Sequence, residues 1–381
     1  RQGVAMTNQQ EIINTIALSR ISYYSSEGLL NLYRTLGSAT NVVEHRHQIR
    51  DVLPDASDRL VAALENMDDM ISRAETELEF DMNHGIVPLC FNDRNYPKRL
   101  AECADAPLVL YYKGNADLNQ RRIISIVGTR RCTQYGRDMT ARLIKRMREL
   151  LPKTLIVSGL AYGIDIEAHR NALACDFETV GVLAHGLDTI YPNAHRDTAI
   201  KMIENGGLLS EFITMTNADK RNFVQRNRIV AGMCDACVIV ESAAKGGGLI
   251  TTTMARDYNR DVFAVPGAVG QQYSEGCNLL IKDNVASLIT SADDLVDAMG
   301  WNEDMEMVRK AGKGIERELF PELTQEEQII VDRLAMHDLQ INMLASQTGL
   351  TIQKLSALLF GLEMKGVVKA LAGGTYHLLK I

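Results

Sequence analysis

The stretch Ile123–Gly159, IISIVGTRRCTQYGRDMTARLIKRMRELLPKTLIVSG, decides the fold. It opens on an apolar run, turns at Gly128, passes through a segment of helical periodicity and ends in a second apolar run, TLIV. Strand, glycine turn, helix and strand make a βαβ unit. The pattern then repeats through TVGVLAHG, GLLSEF, ACVIVES and DVFAVPG, each short, each rich in Val or Leu, each ending in Gly, Ser or a polar turn. Continuous apolar strands joined by helices imply a mostly parallel sheet buried on both faces. The expected class is α/β, a doubly wound, Rossmann-like domain.

Flanking this block, the periodicity changes. Residues 8–82 carry apolar positions at helical spacing, such as Ile12, Ile13, Ile16 and Ala17. LYRTLGSATNVVE has a glycine stop followed by serine, which predicts a helix–turn–helix hairpin, read first as a packing unit. Residues Trp301–Leu319 are charged and hold Gly312 and Gly314, which predicts a linker. Thr324 and Glu327 form a capping box opening a last unit. Two more helical patterns and the ribbon GVVKALAGGTYHLL follow, so the unit reads as a winged helix. The expected divisions are a helical domain over 6–85, the α/β domain over 86–295, a linker over 296–320 and a winged helix over 321–381. Arg1–Ala5 precede Met6 and are left out of this reading.

The net charge of -7 hides its distribution. Arg121–Arg148 holds nine basic residues and one acid, a local charge of +8. Ser291–Ala335 holds twelve acids and five bases, a local charge of -7. An acidic total therefore leaves room for an anion-binding face in the middle of the chain. No apolar run approaches the ~18 residues of a membrane span, and no secretory leader is visible, so a cytoplasmic protein without a membrane partner is expected. The seven cysteines are odd in number and scattered, as in a reducing compartment. Cys234 and Cys237 form a C-x-x-C, but no second pair completes a zinc site and no helix start supports a redox motif. They are read as two small buried residues leading into a strand, and no metal is expected.

In open α/β sheets ligands bind beyond the carboxyl ends of the strands. The turns there are Gly128-Thr129-Arg130-Arg131, Ser158-Gly159 with Gly163, Lys245 with Gly246–Gly248, and Pro266-Gly267. Close by in sequence is FVQRNRIVAG, Phe223–Gly232. Backbone N–H groups near helix starts favour anions. Arginine adds a planar fork that matches phosphate, and Phe223 adds a face for a base. Each feature alone fits a structural role: glycines for packing, Arg137–Arg148 as a solvated helix face, Asn227 as a turn cap. Their convergence on one sheet edge favours a pocket for phosphate- and base-bearing ligands. No G-x-G-x-x-G follows the first strand and no G-x-x-x-x-G-K-[ST] occurs, so neither NAD binding nor ATP hydrolysis is expected, and no cofactor. Ser158, Asp165 and His169 lie close in sequence, yet no nucleophile elbow accompanies them. Asp165 and His169 are read as fixing a helix and its loop.

The motifs VGTRR, SGLAYGIDIEAHRNAL, VGVLAHGLDTIYPNAH, GGLLSEF, FVQRNRIVAG, VIVESAAKGGGLITTTMA, VFAVPG and SEGCNLLI come in the order of the DNA-processing protein A family (DprA, also called Smf), which the chain resembles through nearly the whole α/β block. The C-terminal unit looks like that family's winged helix, and the N-terminal helices resemble its sterile-alpha-motif-like domain. The resemblance implies a non-enzymatic protein that binds single-stranded DNA, protects incoming strands in natural transformation and loads the RecA recombinase on them. It implies a homodimer through the α/β domain. Carried over by motif, the DNA-binding residues would be Arg130, Ser158, Gly159, Phe223, Arg226, Asn227, Arg228 and Lys245. One departure stands out: Val224 follows the phenylalanine where the family usually has proline, so the approach of that segment is expected to differ.

Two other functions compete. The motif order also resembles the "lonely guy" phosphoribohydrolases, but KGGGLITTTMA has threonines and methionine where their glutamate would fall, and no carboxylate assists glycosidic cleavage. A sequence-specific regulator would need a basic recognition helix. TIQKLSALLFGLEMKG offers only Lys354 and Lys365 against Glu363, so this helix is expected to pack against protein or to regulate.

Overall fold

Glycine and serine punctuation shapes the N-terminal helices of the computed structural model, which describes residues 2–21, 25–302, 323–371 and 374–379. The helices are α1 (Gln2–Ser19), α2 (Ser26–Leu36), α3 (Ala39–Glu44), α4 (Ile49–Val52), α5 (Asp58–Glu65) and α6 (Asp68–His84). The hairpin expected around Gly37 is there. Gly37 ends α2 in the left-handed region, and Ser38 caps α3 by accepting from Asn41 N. Ile16, Leu30 and Leu64 from these helices share one core with Leu110, Tyr111 and Val157 of the sheet. Each such side chain contributes about 1.5–3 kcal/mol on burial.

The sheet has nine strands: β1 (Val87–Cys90), β2 (Val109–Gly114), β3 (Arg122–Val127), β4 (Thr154–Ser158), β5 (Thr179–Leu183), β6 (Gly206–Ser210), β7 (Ala236–Ile239), β8 (Asp261–Ala264) and β9 (Ser287–Leu288). Their order is β1-β2-β6-β5-β4-β3-β7-β8-β9. The six apolar runs read from the sequence are β3–β8, and every pairing among them is parallel. Strands β1 and β2 extend the sheet antiparallel, a part the sequence reading had not resolved into strands. Pro88 lies in β1, at the sheet's edge, where a missing N–H costs nothing. Between the strands run α7 (Lys98–Ala101), α8 (Gln134–Leu150), α9 (Ile164–Ala174), α10 (Arg196–Glu204), α11 (Lys220–Gly232), α12 (Gly247–Asp257) and α13 (Glu275–Lys282), and α14 (Ala292–Ala298) follows β9. They bury Leu143, Ile144 and Ala168 on one face and Ile229, Ala231 and Ala255 on the other.

The described residues fall into two compact units, one ending at Trp301 and one starting at Asn302. Helix α14 runs through residues 296–298 of the expected linker, and Trp301 packs on the α/β core with the Arg122 guanidinium 5.5 Å from its ring. Residues 303–320 of that linker lie outside the described residues. The second unit has α15 (Gln325–Leu334), α16 (Ile341–Thr348) and α17 (Ile352–Met364), with strands β10 (Leu339–Gln340), β11 (Val368–Leu371) and β12 (Thr375–Leu378). Thr324 and Glu327 make the capping box, each side chain accepting from the other's N–H. The wing has a third short strand: β10 joins the ribbon in the order β10-β12-β11.

Candidate nucleic-acid interface

The site begins where the sheet changes direction. From β3 the chain winds outward through β4, β5 and β6, then returns to add β7 and β8 on β3's other side. The carboxyl ends of β3 and β7 therefore open a crevice, the place where doubly wound sheets bind ligands. The turn after β3 carries Thr129 and Arg130. Its backbone is pressed against the start of α9 at Gly163, whose φ is +78° and where a Cβ would sit 2.1 Å from the Thr129 carbonyl oxygen. Only glycine fits there.

Helix α11 brings the second wall. Asp219 caps it, accepting from Asn222 N at 2.8 Å. The preceding loop is held by α6: Glu77 accepts from Thr214 N (2.8 Å), while Arg73 donates to Thr214 Oγ1 (2.7 Å) and pairs with Glu77 (2.8 Å). The segment FVQRNR is thus helical throughout, and Val224, exposed, takes an ordinary place in the helix.

The eight residues singled out in the sequence divide by burial. Arg130 and Lys245 are exposed, and Phe223 and Asn227 are half-buried. The Arg130 guanidinium lies 4.5 Å from the Phe223 ring centroid, and Arg226 lies 5.7 Å from the same ring. Lys245 stands on the turn after β7, beside the turn after β3 at Gly248 and Gly128, and has no ion-pair partner among the described residues. The other four lie beneath the surface. Ser158 is fully buried and donates to the Ile126 carbonyl at 2.6 Å. Gly159 is buried between two side chains: a Cβ would come within 2.5 Å of Arg226 Nη1 and 2.6 Å of Asp165 Oδ2.

Arg226 is 3% exposed and Arg228 5% exposed. Arg226 Nη1 donates to the carbonyls of Gly159 (2.5 Å) and Val182, and its Nε to Asn227 Oδ1 (3.2 Å). It thereby ties α11 to the ends of β4 and β5. Burial lowers its pKa to about 10, with the nearby Asp165 charge opposing. Burial raises the Asp165 pKa, with Arg226 opposing. Arg228 forms a buried ion pair with Glu211 and donates to the Asp105 carbonyl. Glu211 has its pKa raised by burial, against the pull of Arg228.

The sequence reading missed an aromatic border. Tyr162 follows β4 and Tyr191 follows β5, 48% and 52% exposed. The Tyr191 ring lies 6.1 Å from Phe223, and the Tyr162 ring meets His195 edge-on at 4.9 Å. The signal was present in LAYG and TIYPNAH, both just past apolar runs.

Competing chemistry finds little support in the geometry. His169 Nδ1 pairs with Thr179 Oγ1 at 2.7 Å, and the Ser158 hydroxyl donates to the Ile126 carbonyl rather than to the imidazole. Cys234 and Cys237 are buried free thiols, and Cys234 Sγ contacts the Ala231 carbonyl at 3.3 Å. On α12, Thr252 and Thr253 spend their hydroxyls on the Leu249 carbonyl. Among the described residues no cluster of His, Cys, Asp and Glu is set to hold a metal. No helix among them is long and apolar enough to cross a membrane. On α8, Arg137, Arg142 and Lys145 are exposed, while Arg146 pairs with Asp293 at 2.7 Å.

The family model described as DNA recombination-mediator protein A matches residues 88–300, and the one described as DprA winged helix domain matches residues 318–374. A DNA processing protein DprA from Streptococcus pneumoniae is 38% identical over 204 residues, 54% of this chain and 71% of that protein. The X-ray structure of DNA processing protein A from Streptococcus pneumoniae superimposes with a TM-score of 0.63 at 30% identity, covering 74% of this chain and 95% of that one. A Helicobacter pylori DNA processing protein A structure, described by its single-stranded DNA binding mode, matches with a TM-score of 0.51 at 28% identity, covering 57% and 96%.

Proposed function

The chain belongs to the DNA recombination-mediator protein A (DprA) family, and on that premise we propose that it binds single-stranded DNA at the sheet edge around Arg130. One observation carries the reading: an exposed arginine, its guanidinium over an aromatic ring, stands at the switch point of a doubly wound sheet. A guanidinium so placed suits a phosphate, and its planar face suits a base. Lys245, on the next turn and without an ion-pair partner among the described residues, supplies a second cation along the same edge. The Helicobacter pylori relative, whose description names single-stranded DNA, supports the choice of ligand.

In this reading the eight residues have two roles. Arg130, Phe223, Asn227 and Lys245 border the strand. Ser158, Gly159, Arg226 and Arg228 set the shape beneath it and join α11 to the strand ends. The protein acts without catalysis. It protects incoming strands in natural transformation, loads a RecA recombinase on them, works in the cytoplasm and dimerises through the α/β domain. Its parts divide at 6–85, 86–295, 296–320 and 321–381, the first sterile-alpha-motif-like.

The test is anisotropy titration of labelled oligo-dT and of duplex across a salt series. Preference for oligo-dT is expected, with log affinity falling by about 0.7 per neutralised phosphate for each unit of log salt. Arg130→Glu is expected to weaken oligo-dT binding roughly 10- to 100-fold with an unchanged unfolding curve. Wild-type affinity in a folded Arg130→Glu protein would sink the assignment. Release of free base from nucleoside monophosphates would instead favour the hydrolase.

A further inference from the structure

Sequence-tolerant recognition of a single strand needs two things: cations along the backbone and open aromatic faces for the bases. Phe223 supplies the second poorly. It is half-buried, the Arg130 guanidinium lies over its ring at 4.5 Å, and Arg226 lies 5.7 Å from the same centroid. Its ring is occupied in holding the arginine.

We propose that Tyr191 and Tyr162, on the turns after β5 and β4, are the base-stacking platforms beside the Arg130 phosphate clamp. This rests on the single-stranded DNA reading above and adds where the bases go. Both rings are about half exposed, 52% and 48%. Neither hydroxyl has a hydrogen-bond partner among the described residues, so no internal polar contact accounts for the position of either ring.

Both are nevertheless fixed from below. Tyr191 donates its backbone N–H to Nε2 of the buried His185 at 3.2 Å, and its ring rests 6.1 Å from Phe223 at an interplanar angle of 57°. Tyr162 stands edge-on to the buried His195, whose Nδ1 is bonded to the Leu160 carbonyl at 2.8 Å. Its neighbour Gly163 abuts the backbone of Thr129 and Arg130. One tyrosine is therefore tied to the arginine through the phenylalanine and the other through the arginine's own turn. A rigid aromatic ring loses little entropy when a base lands on it. Every base has a π-face, so such platforms bind without reading sequence.

The experiment uses the full chain and two labelled probes of equal length, oligo-dT and an oligomer of abasic residues. Tyr191→Ala and Tyr162→Ala are each expected to lower oligo-dT affinity roughly 5- to 150-fold and to leave the abasic probe unaffected. Tyr191→Phe and Tyr162→Phe keep the ring and are expected to restore oligo-dT binding. Arg130→Glu is expected to weaken both probes. Alanine variants that bind oligo-dT like wild type, while Arg130→Glu does not, overturn the platforms and leave the functional reading standing. Equal loss on both probes also overturns them, since it marks a structural role. Failure of the wild-type protein to bind oligo-dT defeats the functional reading itself.

Discussion

Arg130 and Phe223, from different elements of the sheet edge, form a cation–π pair with the guanidinium carbon 4.5 Å from the ring centroid. The pairing gives an exposed arginine a preferred position over the ring, which shortens the list of rotamers it must abandon on meeting a phosphate. The two side chains are expected to act as one unit. In a double-mutant cycle on oligo-dT affinity, Arg130→Ala and Phe223→Ala should be non-additive, with a coupling of about 0.5–2 kcal/mol. Arg130→Lys should recover only part of the loss, because an ammonium keeps the charge without the plane. Additive losses would mean that the two residues meet the strand independently.

Arg228 and Glu211 invite the opposite experiment. Their side chains are 6% and 7% exposed, and each is the other's compensation. Arg228→Ala leaves a buried carboxylate with the Gln225 amide but without its counter-charge and should cost about 3–5 kcal/mol in urea unfolding. Replacing both, as Arg228→Met with Glu211→Leu, should recover most of that stability. If Arg228 braces α11, the double variant should hold oligo-dT within a few-fold of wild type. A stable double variant that had lost oligo-dT binding would put Arg228 in contact with the strand.

These arginines also mark what the sequence conceals. The six parallel strands were legible because each is a short Val-, Ile- or Leu-rich run closed by a turn, and burial on both faces demands that pattern. Strands β1 and β2 were not, although LVLYY in residues 108–112 carries the strand composition. Pro88 breaks one partner, and antiparallel pairing at a sheet's edge follows from no local pattern. At the site, R-N-R announced cations but not their depth. Burial of Arg226 depends on the carbonyls of Gly159 and Val182, which reach it from distant strands. Tyr162 and Tyr191 passed unnoticed because single aromatics in a loop signal nothing until the fold sets Tyr191 beside Phe223 and Tyr162 against His195.

The winged helix makes a negative prediction. Of the two lysines at its candidate recognition helix, Lys354 pairs with Glu326, and Lys365 pairs with the buried Glu327 at 2.8 Å. The outward face of α17 instead shows Ile352, Phe360 and Met364. A major-groove reader places several basic or amide side chains on base edges. Removing residues 302–381 should therefore leave oligo-dT affinity within a few-fold, and the full chain should show no sequence preference on duplex arrays. A defined duplex motif lost on that truncation would contradict the reading.

The pH dependence of stability should report a different buried charge. Asp81 on α6 is 1% exposed, and neither of its oxygens has a hydrogen-bond partner among the described residues. Burial, with the like charge of Glu77 adding and Arg73 opposing, pushes its pKa up to about 8. The native state therefore holds a proton that the unfolded chain releases near 3.8, and stability falls as pH rises from about 4 to about 8. His169 works in reverse: burial pushes its pKa down to about 3, so acid below its ordinary 6.5 favours unfolding. The two effects oppose each other below pH 6.5, and above it the decline continues through Asp81, with the raised carboxyls of Asp165 and Glu211 acting in the same direction. Urea unfolding should show the wild-type protein less stable at pH 8 than at pH 6.5. Asp81→Asn, isosteric and neutral, should flatten that decline and raise stability most at pH 8. Parallel profiles for the two proteins would mean that Asp81 is already ionised in the folded state.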